Sequence, residues 1–431
     1  MRLSLFWCGM AICLSLLTLV SKPSLAQQQE LILDSLITEG LKANPDLKAA
    51  YARFNSEKMK AKASGTLPDP TLGLTFSNLP VDSYRFDQTP MSGISLGITQ
   101  MIPFPAKLRV KANMGNLTAT VSGFSHKKLA NRLIKEIKSA FYHLSYWRKV
   151  TGIIRENITL TEGLEKVAEV KYAAGEGLAS DVLRAQTTVS QLRNKLVSAE
   201  KMYRTAEQML LRLLNRPKDA KFGVPYDLPE TLPELDLDYL LMELKQKNPE
   251  QKIAKAKVEL AQKKKSLAKW NFWPDFSLGV DYRIRENTPM DAVKGTDFLS
   301  FRLGMSIPLW FFAKQKRLLN SADEYLIATQ NEEEGILRRF EYEVIERYQE
   351  AERTRDQFEL YREAILPQAK STLESSMIAY QVGKVDFLTL ITSQLSVFNY
   401  EMEKQTILNS FHQALADLEE LTGSTDIGGL R

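Results

Sequence analysis

Residues able to do chemistry are few in this chain, and none stand at catalytic spacing. His126, His143 and His412 lie far apart on helical stretches, outside the short spacings that metal ligation uses. Each reads as a solvated or groove-lining side chain. Cys8 and Cys13 both fall within the first 26 residues, so the remainder offers no thiolate. No glycine-rich phosphate loop joins a strand to a helix, and no nucleophile elbow is present. The many carboxylates sit on charged helix faces, where solvation accounts for them. These absences argue against an enzyme and imply no cofactor and no resident metal. What remains is charge on the polar side of otherwise apolar strands: Asp281, Arg283 and Arg302. Such groups are costly in a dry core unless paired, and they suit a wet lumen whose solutes they would guide.

The strands that carry them alternate cleanly. From Thr71, Leu72, Leu74 and Phe76 oppose Thr71, Gly73, Thr75 and Ser77; after a polar loop, Ile94, Leu96 and Ile98 oppose Ser95, Gly97 and Thr99. The pattern returns with Phe276, Leu278, Val280, Tyr282 and Ile284, and again with Phe301, Leu303, Met305 and Ile307. Period-two alternation predicts four strands, at about 71–79, 93–102, 275–285 and 298–307. Strands of about ten residues with one apolar face are the signal of an outer-membrane barrel. Four strands cannot close a barrel, and an open edge cannot face lipid, so several chains must share one.

Residues 1–26 read as a secretory signal peptide: Arg2, an apolar run over 3–20, and Ser24-Leu25-Ala26 at the cleavage positions. The whole chain has 57 Lys+Arg, and subtracting Arg2 and Lys22 leaves 55 against 52 Asp+Glu, a balance that argues against nucleic acid as a partner. No later apolar run approaches the roughly 20 residues of a membrane helix, so any crossing is by strands.

The chain is also one half written twice. Asn44-Pro45 recurs as Asn248-Pro249, Pro68-Asp69 as Pro274-Asp275, Ile102-Pro103 as Ile307-Pro308, and Tyr172-x-x-Gly175 as Tyr380-x-x-Gly383. The expected organisation is a first repeat over 27–214, a Pro-rich connector over 215–235 forming a belt, a second repeat over 236–422 and a tail over 423–431. Each repeat carries two short helices, a strand pair, and a very long helical hairpin. The long tracts, 106–172 and 313–380, would each span about 100 Å at 1.5 Å per residue. Leu133, Ile137, Phe141 and Leu144 give them a coiled-coil stripe, and Pro367 predicts a kink or break in the second. Helices so long and narrow must pack against copies of themselves. The fold class is therefore mixed and mainly α, with a helical tube continuous with a shared β-barrel. A periplasmic coiled-coil scaffold without a channel is the rival of another class, and it leaves the strands unexplained.

Together these residues resemble the TolC-like outer-membrane efflux duct family over essentially the whole mature chain. Its carriers are the Asn-Pro starts, the strand pairs, the strand-to-helix bends at Pro103 and Pro308, and the tip tract from Gly177 through Ser180 and Asp181 to Gln186. Leu67-Pro68-Asp69-Pro70 and Gln100 to Lys107 resemble the heavy-metal-efflux branch, although Ala106 stands where that branch usually has glycine. The resemblance implies a homotrimer with a twelve-stranded barrel in outer-membrane lipid of a Gram-negative bacterium. It also implies a periplasmic adaptor of the membrane fusion type and an inner-membrane pump of the RND type. The cargo would be heavy-metal cations, with multidrug efflux or type I secretion as alternatives on the same fold. The implied gate and adaptor-binding tips are Tyr172, Gly175, Leu178, Ser180 and Asp181 in one repeat and Tyr380, Gly383, Val385 and Asp386 in the other. Leu178 and Val182 in one tip and Val382, Val385 and Phe387 in the other are expected as exposed apolar neighbours, with Glu374 a candidate for an acidic ring at the entrance.

Overall fold

The computed structural model describes residues 30–289 and 291–424; the expected signal peptide and residues 425–431 of the tail lie outside them. Nine α-helices and six strands follow the duplicated order among these residues. In the first half, α1 (Leu33–Ala43) and α2 (Pro45–Ala63) lead to β2 (Thr71–Ser77) and β3 (Gly93–Ile102), then α3 (Pro105–Ala173) and α4 (Ala179–Leu213). In the second, α5 (Leu237–Lys247) and α6 (Pro249–Trp270) lead to β5 (Phe276–Ile284) and β6 (Phe298–Met305). There the long tract is α7 (Gln315–Leu360), a π-helical turn (Tyr361–Ile365) and α8 (Leu366–Gln381), and α9 (Phe387–Thr422) returns. The short strands β1 (Glu30–Leu31) and β4 (Val224–Pro225) pair in parallel where the connector crosses.

The duplication holds at the level of single hydrogen bonds. Asn44 caps α2, its side-chain oxygen accepting the N–H groups of Asp46 (2.9 Å) and Leu47 (3.1 Å), and Pro45 fills the first helical position. Asn248 does the same for α6 through Gln251 N–H at 2.8 Å. The two side-chain amides also donate to the ends of the return helices, Asn44 to the Leu213 carbonyl and Asn248 to that of Leu421. Each Asn-Pro thus ties the start of one helix to the end of another.

The packed interior lies along α3. Ile137, Ala140, Phe141 and Leu144 are buried with Leu210 of α4, Leu214 just after it, Phe358 of α7 and Leu408 of α9. Helix α7 is different: only Thr329, Val344, Ala351, Thr354 and Phe358 are buried along its 46 residues. A helix with so narrow a buried stripe presents most of its surface outward.

Three sequence expectations change. The helix does not break at Pro367; it widens one turn earlier into the π-helical stretch 361–365, which relieves the clash between the ring and the preceding carbonyl. β3 spans the expected 93–102, but the other three long strands are shorter than the alternation suggests. Asn78, at φ 53°, turns the chain out of β2, and Ser306 leaves β6 to bond the Asp275 carbonyl at 2.8 Å. His412 is not groove-lining but buried, packed on Tyr142 and Phe411, with Nε2–H donating to the Pro229 carbonyl in the belt at 3.2 Å.

Burial pushes His412 down to about 4, although the Pro229 carbonyl favours the charged form. The neutral ring is thus the form the fold accepts. Its contribution is complete above the unfolded value near 6.5 and declines as pH falls from there toward about 4. We expect thermal unfolding of the purified protein between pH 7 and 4.5 to show this loss, and His412→Gln to flatten the slope over that window. Equal slopes for both proteins would contradict the assignment.

Candidate functional site

The four long strands form one antiparallel sheet in the order β2-β3-β5-β6. Its register sorts the side chains by face. Leu74 lies opposite Leu96, Leu96 opposite Tyr282, and Tyr282 opposite Leu299; Leu278 lies opposite Leu303, and Val280 opposite Phe301. These apolar groups share one face and are bare: Leu72, Phe301 and Leu303 are each more than 70 % exposed (74, 78 and 77 %). An unbroken apolar face of this extent marks contact with lipid or protein.

The opposite face is small and charged. Asp281 pairs with Arg302 across the β5–β6 ladder at 3.0 Å, and Arg283 Nε donates to Ser95 Oγ at 3.1 Å. Gly97 faces Asp281, and a Cβ there would come within 2.2 Å of its Oδ1, so the carboxylate leans into space that only glycine leaves. Asp281, Arg283 and Arg302 thus share the face away from the apolar groups, as one ion pair and one separate hydrogen bond.

Where sheet meets helix, Pro103 is buried and Pro308 half-buried. Between them lies an arrangement that sequence reasoning missed. Asp275 Oδ1 accepts from Phe104 N–H and from Lys107 Nζ, both at 2.8 Å, and Lys107 also donates to the Trp273 carbonyl at 2.8 Å. Burial would push the Asp275 carboxyl up, but the bonds from Lys107 and Phe104 and the nearby Lys111 charge hold it below its ordinary value. The Phe104 ring stacks on Trp270 (5.5 Å) and Trp273 (5.2 Å), and at the same level Trp310 and Phe312 stand exposed. Aromatic rings at the end of an apolar band form an interfacial girdle. The recurring Pro-Asp and Ala-Lys pairs carried the signal for this junction.

At the far ends of the helices, Gly175 (φ 75°) and Gly383 (φ 71°) make the turns, with Glu176 N–H bonding the Lys171 carbonyl and Lys384 N–H that of Ala379. Both glycines adopt the left-handed backbone that side chains resist. Asp386 caps α9 by accepting from Thr389 N–H (2.8 Å) and Oγ1 (2.6 Å), bonds that hold its carboxyl below the usual range. Asp181 lies in the first turn of α4, behind an exposed Ser180. Lys171 joins the two hairpins, donating to the Tyr380 carbonyl at 2.9 Å with its ammonium 4.6 Å from the Tyr380 ring.

The tips also correct an expectation. Phe387 is not an exposed neighbour but a core residue, 1 % exposed and edge-on to a buried Tyr380 at 5.7 Å, with Val182 and Val385 packed beside it. Leu178 and Val382 are exposed, as are Tyr172 and three residues the sequence reading passed over: Val170, Leu183 and Ile378. Glu374 is exposed on α8, without an ion-pair partner among the described residues. No group of His, Cys, Asp and Glu among the described residues is arranged to hold a metal ion.

Residues 240–424 match the family model of the outer membrane efflux proteins. The match covers most of the second repeat. The relatives it resembles include the pyoverdine export outer membrane protein OpmQ of Pseudomonas aeruginosa, 22 % identical over 85 % of this chain and 79 % of that protein. The toxin and drug export protein A of Aggregatibacter actinomycetemcomitans is 25 % identical over 70 % of this chain and 67 % of its own. Among solved structures, CusC superposes with a TM-score of 0.79 at 15 % identity, covering 91 % of this chain and 92 % of that one. The outer membrane protein VceC of Vibrio cholerae gives 0.76 at 16 % identity, covering 91 and 96 %. The efflux protein is accordingly an outer-membrane protein with a channel fold. Its exposed apolar sheet face is one that a soluble protein would have to bury, and its chemistry suits lipid.

Phe387→Ala should empty the tip core and cost about 3–5 kcal/mol of local stability. Leu178→Ala, on an exposed side chain, should stay within about 0.5 kcal/mol. Amide exchange across Tyr380–Leu390 reads the difference.

Proposed function

We propose that three copies of this efflux protein close a twelve-stranded barrel in the outer membrane, continued below by a helical tube. A periplasmic adaptor of the membrane fusion type and an inner-membrane RND pump complete the path. The observation that carries this reading is the four-stranded sheet itself, apolar on one face, charged on the other and unpaired at both edges. Membranes admit such strands only in a closed barrel, and the smallest barrels have about eight. Asp281, Arg283 and Arg302 line the lumen, the bends at Pro103 and Pro308 turn barrel into tube, and Glu374 contributes an acidic ring near the entrance.

In this reading the tips are the gate. Tyr172, Gly175, Leu178, Ser180 and Asp181 of one hairpin, with Tyr380, Gly383, Val385 and Asp386 of the other, receive the adaptor's helical hairpin. The exposed Leu178 and Val382 supply the apolar contact and the Lys171–Tyr380 bridge links the two hairpins. The cargo we assign first is heavy-metal cations, on the stretches 67–70 and 100–107. A multidrug cargo is the second reading, supported by the relatives named for pyoverdine and for toxin and drug export.

Leu303→Arg or Leu96→Arg should cost about 2–4 kcal/mol if the site lies near the bilayer midplane. Arginine at Thr75, on the other face, should be tolerated. Detergent-solubilised oligomer yield measures this, and a soluble monomer from the mature chain would sink the barrel reading.

Charged residues at Gly175, Leu178, Gly383 or Val385 should abolish export while the oligomer persists in the outer membrane. A Cβ at either glycine meets nothing within 4 Å, so any defect there comes from the backbone or a partner. Deleting the gene should sensitise cells to metals; unchanged metal tolerance with heightened drug sensitivity transfers the assignment to the multidrug branch.

A further inference from the structure

The sheet has one seam between the two repeats, where β3 of the first pairs with β5 of the second, Ile102 opposite Phe276. That seam is clasped at its helical end by Asp275 and Lys107, the latter 7 % exposed. The duplicated chain contains the parts of a second clasp that the protomer never assembles. Asp69 stands before β2 as Asp275 stands before β5, each following a proline; Lys314 follows Ala313 beyond β6 as Lys107 follows Ala106 beyond β3, although two residues further from the matching Ile-Pro. Both Asp69 and Lys314 are exposed, and neither has an ion pair or side-chain hydrogen bond among the described residues. They sit at opposite edges of the sheet, β2 and β6, so one protomer cannot bring them together.

Carrying the inner seam's register onto these edges tests the idea. Ile98 opposite Val280 becomes Leu303 opposite Leu74 of a second copy; Leu96 opposite Tyr282 becomes Phe301 opposite Phe76, and Gly97 opposite Asp281 becomes Arg302 opposite Thr75. Apolar meets apolar and lumen meets lumen at each position, which a register slip of one residue would reverse.

We propose that Asp69 of each protomer accepts the Lys314 ammonium of the next copy, which also donates to the Leu67 carbonyl, as Lys107 does to Asp275 and the Trp273 carbonyl. This rests on the shared-barrel reading and names its inter-protomer contact. At the aromatic girdle the pair is shielded from water on one side, as Lys107 is. It closes the barrel's outer seams at the level where strands become helices.

The test uses the full chain in outer membranes. Asp69→Lys and Lys314→Asp should each lower the temperature at which SDS separates the oligomer, and the reciprocal double variant should restore it. Because either variant could disturb insertion, Asp69→Cys with Lys314→Cys provides a second measurement. The chain's two cysteines, Cys8 and Cys13, lie within residues 1–26. A short bis-maleimide should link the double variant into dimers and trimers and leave each single variant unlinked. An intact oligomer that resists crosslinking and ignores both charge reversals would overturn the clasp while leaving the duct standing. A wild-type chain that is monomeric in mild detergent would overturn both.

Discussion

The two unpaired edges of one four-stranded sheet constrain everything else in this protein. β2 and β6 each leave a row of backbone groups without partners inside the chain, next to a face of leucine, isoleucine and phenylalanine. In water such an edge invites aggregation, and in lipid each unpaired group costs several kcal/mol. Closure with other copies satisfies the backbone and gives the apolar face its solvent in one step. On the proposed closure, a barrel with Asp281 and Arg302 inside would be a passage. The sparsely buried α7 fits the same proposal, because a helix that buries five residues in 46 leaves room for a neighbour.

How much of this is legible in the amino-acid order differs by element. The strands are legible because alternation is local: Leu72-Gly73-Leu74 states its faces without any tertiary information. The duplication is legible because Asn-Pro and Pro-Asp perform capping and bending that few other pairs can do. His412 is not legible, since a lone histidine on a helix looks alike whether it faces water or a belt that arrives from residue 229. Phe387 fails for a related reason. It follows the cap Asp386, where exposure is common, but Tyr380 from the other side of the turn covers it. The Lys107–Asp275 clasp joins residues 168 apart and depends on a pairing between repeats that no local pattern states.

The belt explains why the connector is rich in proline but not loose. Ser145 donates to the Tyr226 carbonyl at 2.6 Å, Tyr226 packs on Phe141 at 4.8 Å, and Arg216 grips Glu39 through two bonds of 2.7 and 2.6 Å. Prolines at 217, 225, 229 and 233 offer few donors and fixed backbone angles, so the strap lies across the helices and leaves its carbonyls for Ser145, Arg148 and His412. A flexible linker would let the two repeats slide, and with them the strand register that sets the charged face of the sheet.

The π-helical turn resolves a mismatch between the repeats. Ala106-Lys107 and Ala313-Lys314 are 207 residues apart, whereas Tyr172 and Tyr380 are 208 apart, so the second tract holds one residue more than the first. Ile137 and Val344, and Leu144 and Ala351, keep the 207 spacing and are all buried, which places the extra residue beyond Ala351. In a regular helix, one added residue would rotate everything after it by about 100° and lift it about 1.5 Å. Tyr380 would then leave Phe387 and Lys171, and the two tips would stand at different heights. The turn at Tyr361–Ile365 takes up that residue, and Pro367 fixes where it does so by denying the α-helical bond one turn back. The distortion in the second repeat is therefore what keeps both tips in phase, and a gate built from the two hairpins requires that phase.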